Sequence, residues 1–249
     1  WDTADGPVPM ASQFRIAWRR MAATTGFRTL FPCVLPPGST HVDAVVSAIP
    51  EAKAIDVALM GAMCSTLLVD FFVRSSSVSD IRGSFLETLP FCVAPRFRDQ
   101  LSRLFLRLNC LTGAYAPLWE EVTGEAWNPD TPIRNAFKRQ LAQIEIDVLV
   151  ALSLGVTADE LCMIYRTQFP VMRRYDREGR FDVIGRLIPK KVVNAEASAG
   201  ASHILDAEFR TWTHPQSGEE YTFEYPFLPI DRESQYQRAF RELQSLLPS

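Results

Sequence analysis

Gln13-Phe14-Arg15-Ile16-Ala17-Trp18-Arg19-Arg20-Met21 and Arg28-Thr29-Leu30-Phe31-Pro32-Cys33-Val34-Leu35 are two strand-compatible runs separated by Ala22 to Phe27, and the second stops at Pro36-Pro37-Gly38. Two such runs so close together predict an antiparallel β unit. Asp43 to Ile49 adds a short strand, and Ile55 to Arg74 has the apolar density and length of a helix packed on the sheet. Leu86 to Pro95 reads as extended chain ending in proline. Phe97 to Leu111 places Leu101, Leu104, Phe105, Leu108 and Leu111 on one helical stripe, with Arg98, Arg103 and Arg107 elsewhere, and a linker with Gly124, Trp127, Asn128 and Pro129 follows. Ile133 to Leu154 gives the clearest helical period, through Phe137, Leu141, Ile144, Val148 and Ala151, before Gly155 stops it. Thr157 and Glu160 have the spacing of a reciprocal capping box, which opens a short helix over Ala158 to Gln168.

Beyond Pro170 the chain reads as basic and irregular, and Asn194 to Ser202 as a small-residue linker. Phe209 to Trp212 and Glu220 to Tyr225 flank His214-Pro215-Gln216-Ser217-Gly218 as a hairpin. Asp231 then caps a final helix containing Tyr236, Phe240, Leu243 and Leu246. This order implies an α+β fold: an N-terminal antiparallel β unit with packed helices, a helical middle segment, and a C-terminal hairpin plus helix. The expectation is one domain over 1–249, divisible into an α+β part at 1–95 and a helical part with its hairpin at 96–249.

The chain has 249 residues, 47% of them hydrophobic, enough to bury a sizeable core. Its longest apolar run, Val57 to Val73, is interrupted by Gly61, Cys64, Ser65, Thr66 and Asp70, a poor membrane span and an ordinary buried helix. A soluble, cytoplasmic protein without membrane contact is expected. Trp1 follows neither an initiator Met nor a leader pattern, so the start reads as a cut through a longer polypeptide. Cys33, Cys64, Cys92, Cys110 and Cys162 are odd in number and far apart, which fits reduced thiols in the core. His41, His203 and His214 have no Cys or His partner at a ligand spacing, so neither a zinc site nor a Cys-His pair is indicated.

Charge is unevenly distributed. The chain as a whole carries a net charge of -3, yet Gly6 to Val42 holds four arginines and no acidic residue. Such a local excess in an acidic chain suggests one polarised contact surface, for which nucleic acid is the natural partner. Arg15, Arg19, Arg20 and Arg28 would contact phosphates or guanine edges, with Thr24, Thr25 and Thr29 fixing register; on the opposite reading they are solvated arginines on a ribbon whose Trp18 lies in the core. Arg74, Ser75 and Arg82 form a second candidate segment. Arg173 and Arg174, with Arg177, Arg180 and Arg186, form a third, rich in the side chain that binds phosphate bidentately.

Ala17-Trp18-Arg19, Thr25, Arg28-Thr29 and Pro36-Pro37-Gly38, followed by Leu67 to Arg74, Leu89-Pro90, Ile146 to Ala151 with Leu154-Gly155, Glu160-Leu161, Ile164-Tyr165-Arg166 and Gln168-Phe169-Pro170, form an ordered series. With Asp231-Arg232-Glu233, Tyr236 and Ala239-Phe240 at the end, the series resembles the C-terminal target-recognition region of large adenine-specific DNA methyltransferases. These are of the type IIG restriction-modification kind, with relatives in the BREX and DISARM phage-defence systems. The resemblance implies double-stranded DNA as partner, a methyltransferase domain upstream in the same polypeptide, other defence-system subunits as further partners, and S-adenosylmethionine as cofactor of the parent protein.

The family's catalytic Asn-Pro-Pro-Tyr/Phe tetrapeptide does not occur; Asn128-Pro129-Asp130 lacks the second proline and the aromatic. No glycine-rich strand-to-helix turn for S-adenosylmethionine is present either, so no catalytic, cofactor or metal site is expected within the chain. Asp43, Glu51 and Lys53 imitate a nuclease spacing, but Glu51 sits where a turn should begin the next helix. The competing function is a scaffold domain, with the Ile133 to Gln168 helical pair docking onto another subunit.

Overall fold

The computed structural model describes residues 2–3, 6–49, 53–89, 91–200 and 204–245. Trp1, Glu51, Pro90, Ser202, His203 and Leu246, all used above, lie outside them. The architecture is α+β. A two-residue pair, β1 (Asp2–Thr3) with β2 (Gly6–Pro7), precedes a three-stranded antiparallel sheet ordered β4-β3-β5, formed by β3 (Arg15–Arg19), β4 (Pro32–Leu35) and β5 (Val45–Ala48). In register, Ile16 faces Val34 on one side and Ala48 on the other, and Trp18 faces Pro32 and Val46. The central strand is buried from Arg15 to Trp18. Trp18 satisfies its indole by donating to the Ile81 carbonyl at 2.7 Å.

The expected second strand is shorter than Arg28 to Leu35. At Thr29 the backbone N–H is taken by both carboxylate oxygens of Asp70 (3.1 and 3.0 Å), so the chain enters the sheet only at Pro32. The expected helix Ile55 to Arg74 is two helices, α1 (Ala54–Cys64) and α2 (Leu67–Ser75), whose axes differ by 63°. Thr66 adopts extended backbone and accepts from the Val69 N–H, an N-cap that restarts the helix. The Ser65 carbonyl freed by the break accepts from Arg28 Nη1 (2.9 Å) and Gln143 Nε2 (3.0 Å). Gly61 allows the close packing of α1: a Cβ there would fall within the Phe105 ring and against Ile16.

Leu86 closes a short helix, α3 (Gly83–Leu86), and residues 87–89 and 91–94 form no strand; Ala94 N–H donates to Ser153 Oγ at 3.1 Å. Next come α4 (Arg98–Asn109), α5 (Ala116–Thr123), α6 (Ala136–Leu154) and α7 (Ala158–Gln168). Gly155 ends α6 in the left-handed region (φ 72°), and α7 carries the reciprocal Thr157–Glu160 capping box. A single stripe understates α6. Every residue from Ile146 to Ala151 is buried, because the helix runs through the middle of the fold against α1, α2, α4 and the last helix.

Two segments read as irregular are helical: α8 (Pro170–Glu178) and α9 (Lys190–Ala199). Proline fits the first helical turn, where its missing N–H is not needed, so Pro170 begins α8 instead of ending the order there. The small residues of 194–199 are alanines and their neighbours, which tolerate helix as readily as linker. A further short helix, α10 (Ala207–Arg210), leads into the hairpin of β6 (Thr211–Thr213) and β7 (Glu220–Thr222), narrower than expected, and α11 (Arg232–Ser245) closes the chain. Asp231 caps α11, accepting the Ser234 N–H at 3.1 Å; its bonds from Ser234 hold its carboxyl below the usual range.

One apolar core joins Ile16 and Trp18 to Phe105, Val148, Tyr165 and Tyr236, and a small cluster of Ile188, Val192, Phe223 and Phe227 lies under the hairpin. No single helix among the described residues is long and apolar enough to cross a membrane; α1 and α2 together pass only as a bent pair, and their apolar residues are mostly buried in the core. Cys64, Cys110 and Cys162 are buried free thiols, pushed up by desolvation to about 12, about 12 and about 11, whereas Cys33 and Cys92 are exposed.

Replacing Ile144 by Ala should cost about 2 to 5 kcal/mol in urea unfolding. Tyr236→Phe, which deprives buried Asp147 of a 2.7 Å hydroxyl donor, should cost about 1 to 3 kcal/mol. Thiol labelling of the native protein at pH 8 should mark Cys92 first and Cys33 more slowly, with Cys64, Cys110 and Cys162 reacting only on unfolding.

Candidate functional site

The N-terminal basic unit turns most of its cations inward. Arg15 is buried and donates to the Ser39 carbonyl; Arg28 is buried on the Ser65 carbonyl, 3.9 Å from Asp70; Thr29 is fully buried. Arg74 donates to Asp70 (3.1 Å) and to the carbonyls of Thr24 (3.2 Å), Gly26 (3.0 Å), Phe27 (3.4 Å) and Gln168 (2.9 Å), with its guanidinium over the Phe169 ring. Arg20 is paired with Asp43 and Asp80, and Arg82 with Asp80. These corrections have one cause: a guanidinium satisfies several freed carbonyls at once, and here Arg15, Arg28 and Arg74 tie loops to the core rather than facing a ligand.

Arg19 is exposed and lies over Phe31; Thr25 and Ser75 are exposed, with Ser75 Oγ donating to its own helix at Phe72. Arg173 donates to the Arg166 carbonyl at 3.0 Å, toward α7, whereas Arg174 is exposed beside Tyr175. The first and second candidate segments therefore meet, through Arg74 and the 24–27 turn, and the third abuts them through the Phe27–Tyr175 ring contact at 5.8 Å. What they form together is a structural joint, with Arg19 and the outer face of α8 left to solvent.

A recess borders that joint, with Phe27 and Tyr175 among its lining residues. This cleft, of about 1150 Å³, opens between α8, the 179–189 loop, α9 and the β6–β7 hairpin. Its floor is held by Asp176, which accepts from Arg232 Nε (2.7 Å) and Nη2 (3.1 Å) and from Tyr165 Oη (2.8 Å). Burial and the Asp176 carboxylate keep the Tyr165 phenol neutral, far above its ordinary range. The floor carboxylate is thus fully neutralised.

The loop wall is tied at several points. Asp182 accepts from both the Arg186 N–H and Arg186 Nε at 2.8 Å, and Arg186 reaches the Thr222 carbonyl and lies over Phe223, clipping loop to hairpin. Gly185 (φ 83°) passes directly beneath the Asn135 amide, and Asn135 Nδ2 donates to the Ile184 carbonyl at 2.6 Å. The hairpin wall is aromatic: Trp212 pairs across the strands with Tyr221, ring centres 6.5 Å apart, and His214 packs edge-on against Trp212 at 5.3 Å. A bond to Glu219 raises the Tyr221 phenol above its usual range, so it stays neutral. Arg177, Arg180 and Lys190 line the cleft, as does Glu178, whose carboxylate has no ion-pair partner among the described residues.

Trp212, Tyr221 and Lys190 escaped the reading of the sequence. The available signal was the two-residue alternation of Thr211-Trp212-Thr213-His214 and Glu220-Tyr221-Thr222-Phe223, which puts rings on one face of a hairpin. No group of three or more His, Cys, Asp or Glu among the described residues is placed to hold a metal ion. Comparison with protein-family models, curated proteins and solved structures finds no match to this chain.

Arg74→Ala, which strips buried Asp70 of its main cation, should cost about 3 to 5 kcal/mol in urea unfolding. Arg19→Ala should stay within about 0.5 kcal/mol of the parent.

Proposed function

We propose that this chain is a DNA-recognition module that binds and positions duplex DNA for an adenine-specific methyltransferase of a restriction-modification or phage-defence system. In this reading the contact surface is the rim of the cleft, not the N-terminal β unit. One observation carries it: Arg177, Arg180 and Lys190 line the cleft, and among the described residues none of the three is in an ion pair. Cations left without carboxylates in a chain that has more acids than bases are suited to a polyanion, and closely spaced arginines suit phosphates. The resemblance to methyltransferase target-recognition regions supplies the biological setting. Methyl transfer and S-adenosylmethionine would belong to another part of the parent protein.

The test is salt dependence. Fluorescence anisotropy with a labelled duplex should give a steep fall of affinity with salt. The triple variant Arg177→Gln, Arg180→Gln, Lys190→Gln should flatten the log-log slope by up to about 2.7, roughly 0.9 for each phosphate contact removed. Arg19→Gln should change it by one contact at most. An unchanged slope and affinity in a folded triple variant would favour the scaffold reading. That reading rests on the exposed apolar side chains Val183, Ile184, Leu187 and Leu228, since residues 146–151 of α6 are buried in the core.

A further inference from the structure

The rim is only half of the recess; its walls are rings. Resting on the DNA reading above, we infer that the cleft takes an unpaired nucleotide of DNA, its base stacked on Trp212 and its flanking phosphates held by Arg177, Arg180 and Lys190. A paired base offers a protein only its edge, because its faces are covered by neighbouring bases. An aromatic wall inside a recess has its natural partner in a base that has left the stack. Trp212 is partly buried in the hairpin cluster and backed by Tyr221, so its ring is fixed before any ligand arrives. The cleft volume, at about 1150 Å³, exceeds the roughly 300 to 1,000 Å³ of pockets that enclose a compact ligand, leaving room for the backbone on either side of the base.

Polar groups for the base edge are present. His214 Nδ1 accepts from the Gln216 and Ser217 N–H groups, both at 3.3 Å, which leaves Nε2 to carry the ring proton as a donor. The Asn194 amide lines the cleft and forms no hydrogen bond within the described residues, so it can donate and accept. The Asp176 carboxylate on the floor is spent on Arg232 and Tyr165 and does not repel a nucleotide. Glu178 does oppose one, which gives the inference a signature of the opposite sign.

The probe is a duplex carrying 2-aminopurine, either paired or as a single unpaired base, titrated with the full chain. The unpaired probe should bind more tightly than the paired one, and its emission should be quenched on binding as the base stacks. Trp212→Leu, which keeps apolar volume but removes the ring, should cost about 5- to 150-fold on the unpaired probe and little on the paired one, with Trp212→Phe recovering most of the loss. Glu178→Gln should tighten both. Equal affinity for the two probes with no quenching would overturn the nucleotide site and leave the duplex reading standing. Absence of saturable binding to either would overturn both. Because the comparison of the two probes is made on the unsubstituted protein, it decides the matter even if Trp212→Leu fails to fold.

Discussion

Three of the four buried aspartates, Asp70, Asp147 and Asp176, hold the fold together. A carboxylate removed from water costs several kcal/mol unless its oxygens are met by donors, so each dictates which distant groups must come to it. Asp70 on α2 draws in the Thr29 N–H and Arg74. Asp147, at the centre of α6, takes the Leu67 N–H at 2.9 Å and the Tyr236 hydroxyl at 2.7 Å, joining the start of α2 to α11. Asp176 on α8 takes Tyr165 and Arg232. These carboxylates impose geometry on an apolar core that would otherwise be held by non-directional burial alone.

The cleft inherits its position from this lacing. Arg232 is fixed at once by Asp176 and, through a 2.8 Å bond, by Gln140 of α6, so α8 is locked to the central helix and to α11. The same contact neutralises what would be an acidic floor. Arg186 and Asn135 then fasten the 179–189 loop to the hairpin and to the start of α6. Preorganised walls lose little freedom on binding, the condition under which a few aromatic and cationic side chains suffice.

Elements governed by local chemistry were legible in the sequence, and those decided at a distance were not. The capping box at Thr157, the stop at Gly155, the Asp231 cap and the β3–β4 pair all follow from residues within a few positions of one another. The break at Ser65–Thr66 depends on Arg28 and Gln143 arriving to satisfy a carbonyl, which no window of sequence contains. Pro170 was misread because proline before a helix and proline after one look alike until the following turn finds its packing partners, here Met172 and Asp176. The candidate site suffered most from this. An arginine near threonines and tryptophan has one appearance in sequence whether its guanidinium faces phosphate or, like that of Arg74, bonds to four backbone carbonyls.

The inward burial of the N-terminal arginines also reshapes the molecule's outer field. The stretch 170–191 contains seven of the 26 basic and three of the 29 acidic residues, so the remainder of the chain carries a formal charge of -7. A positive edge on a negative body is an electric dipole. In the field of a polyanion such a body experiences a torque before it makes any contact, turning its cationic edge forward while its other faces are held off. The acidity of the rest of the chain would then restrict the approach to a single orientation.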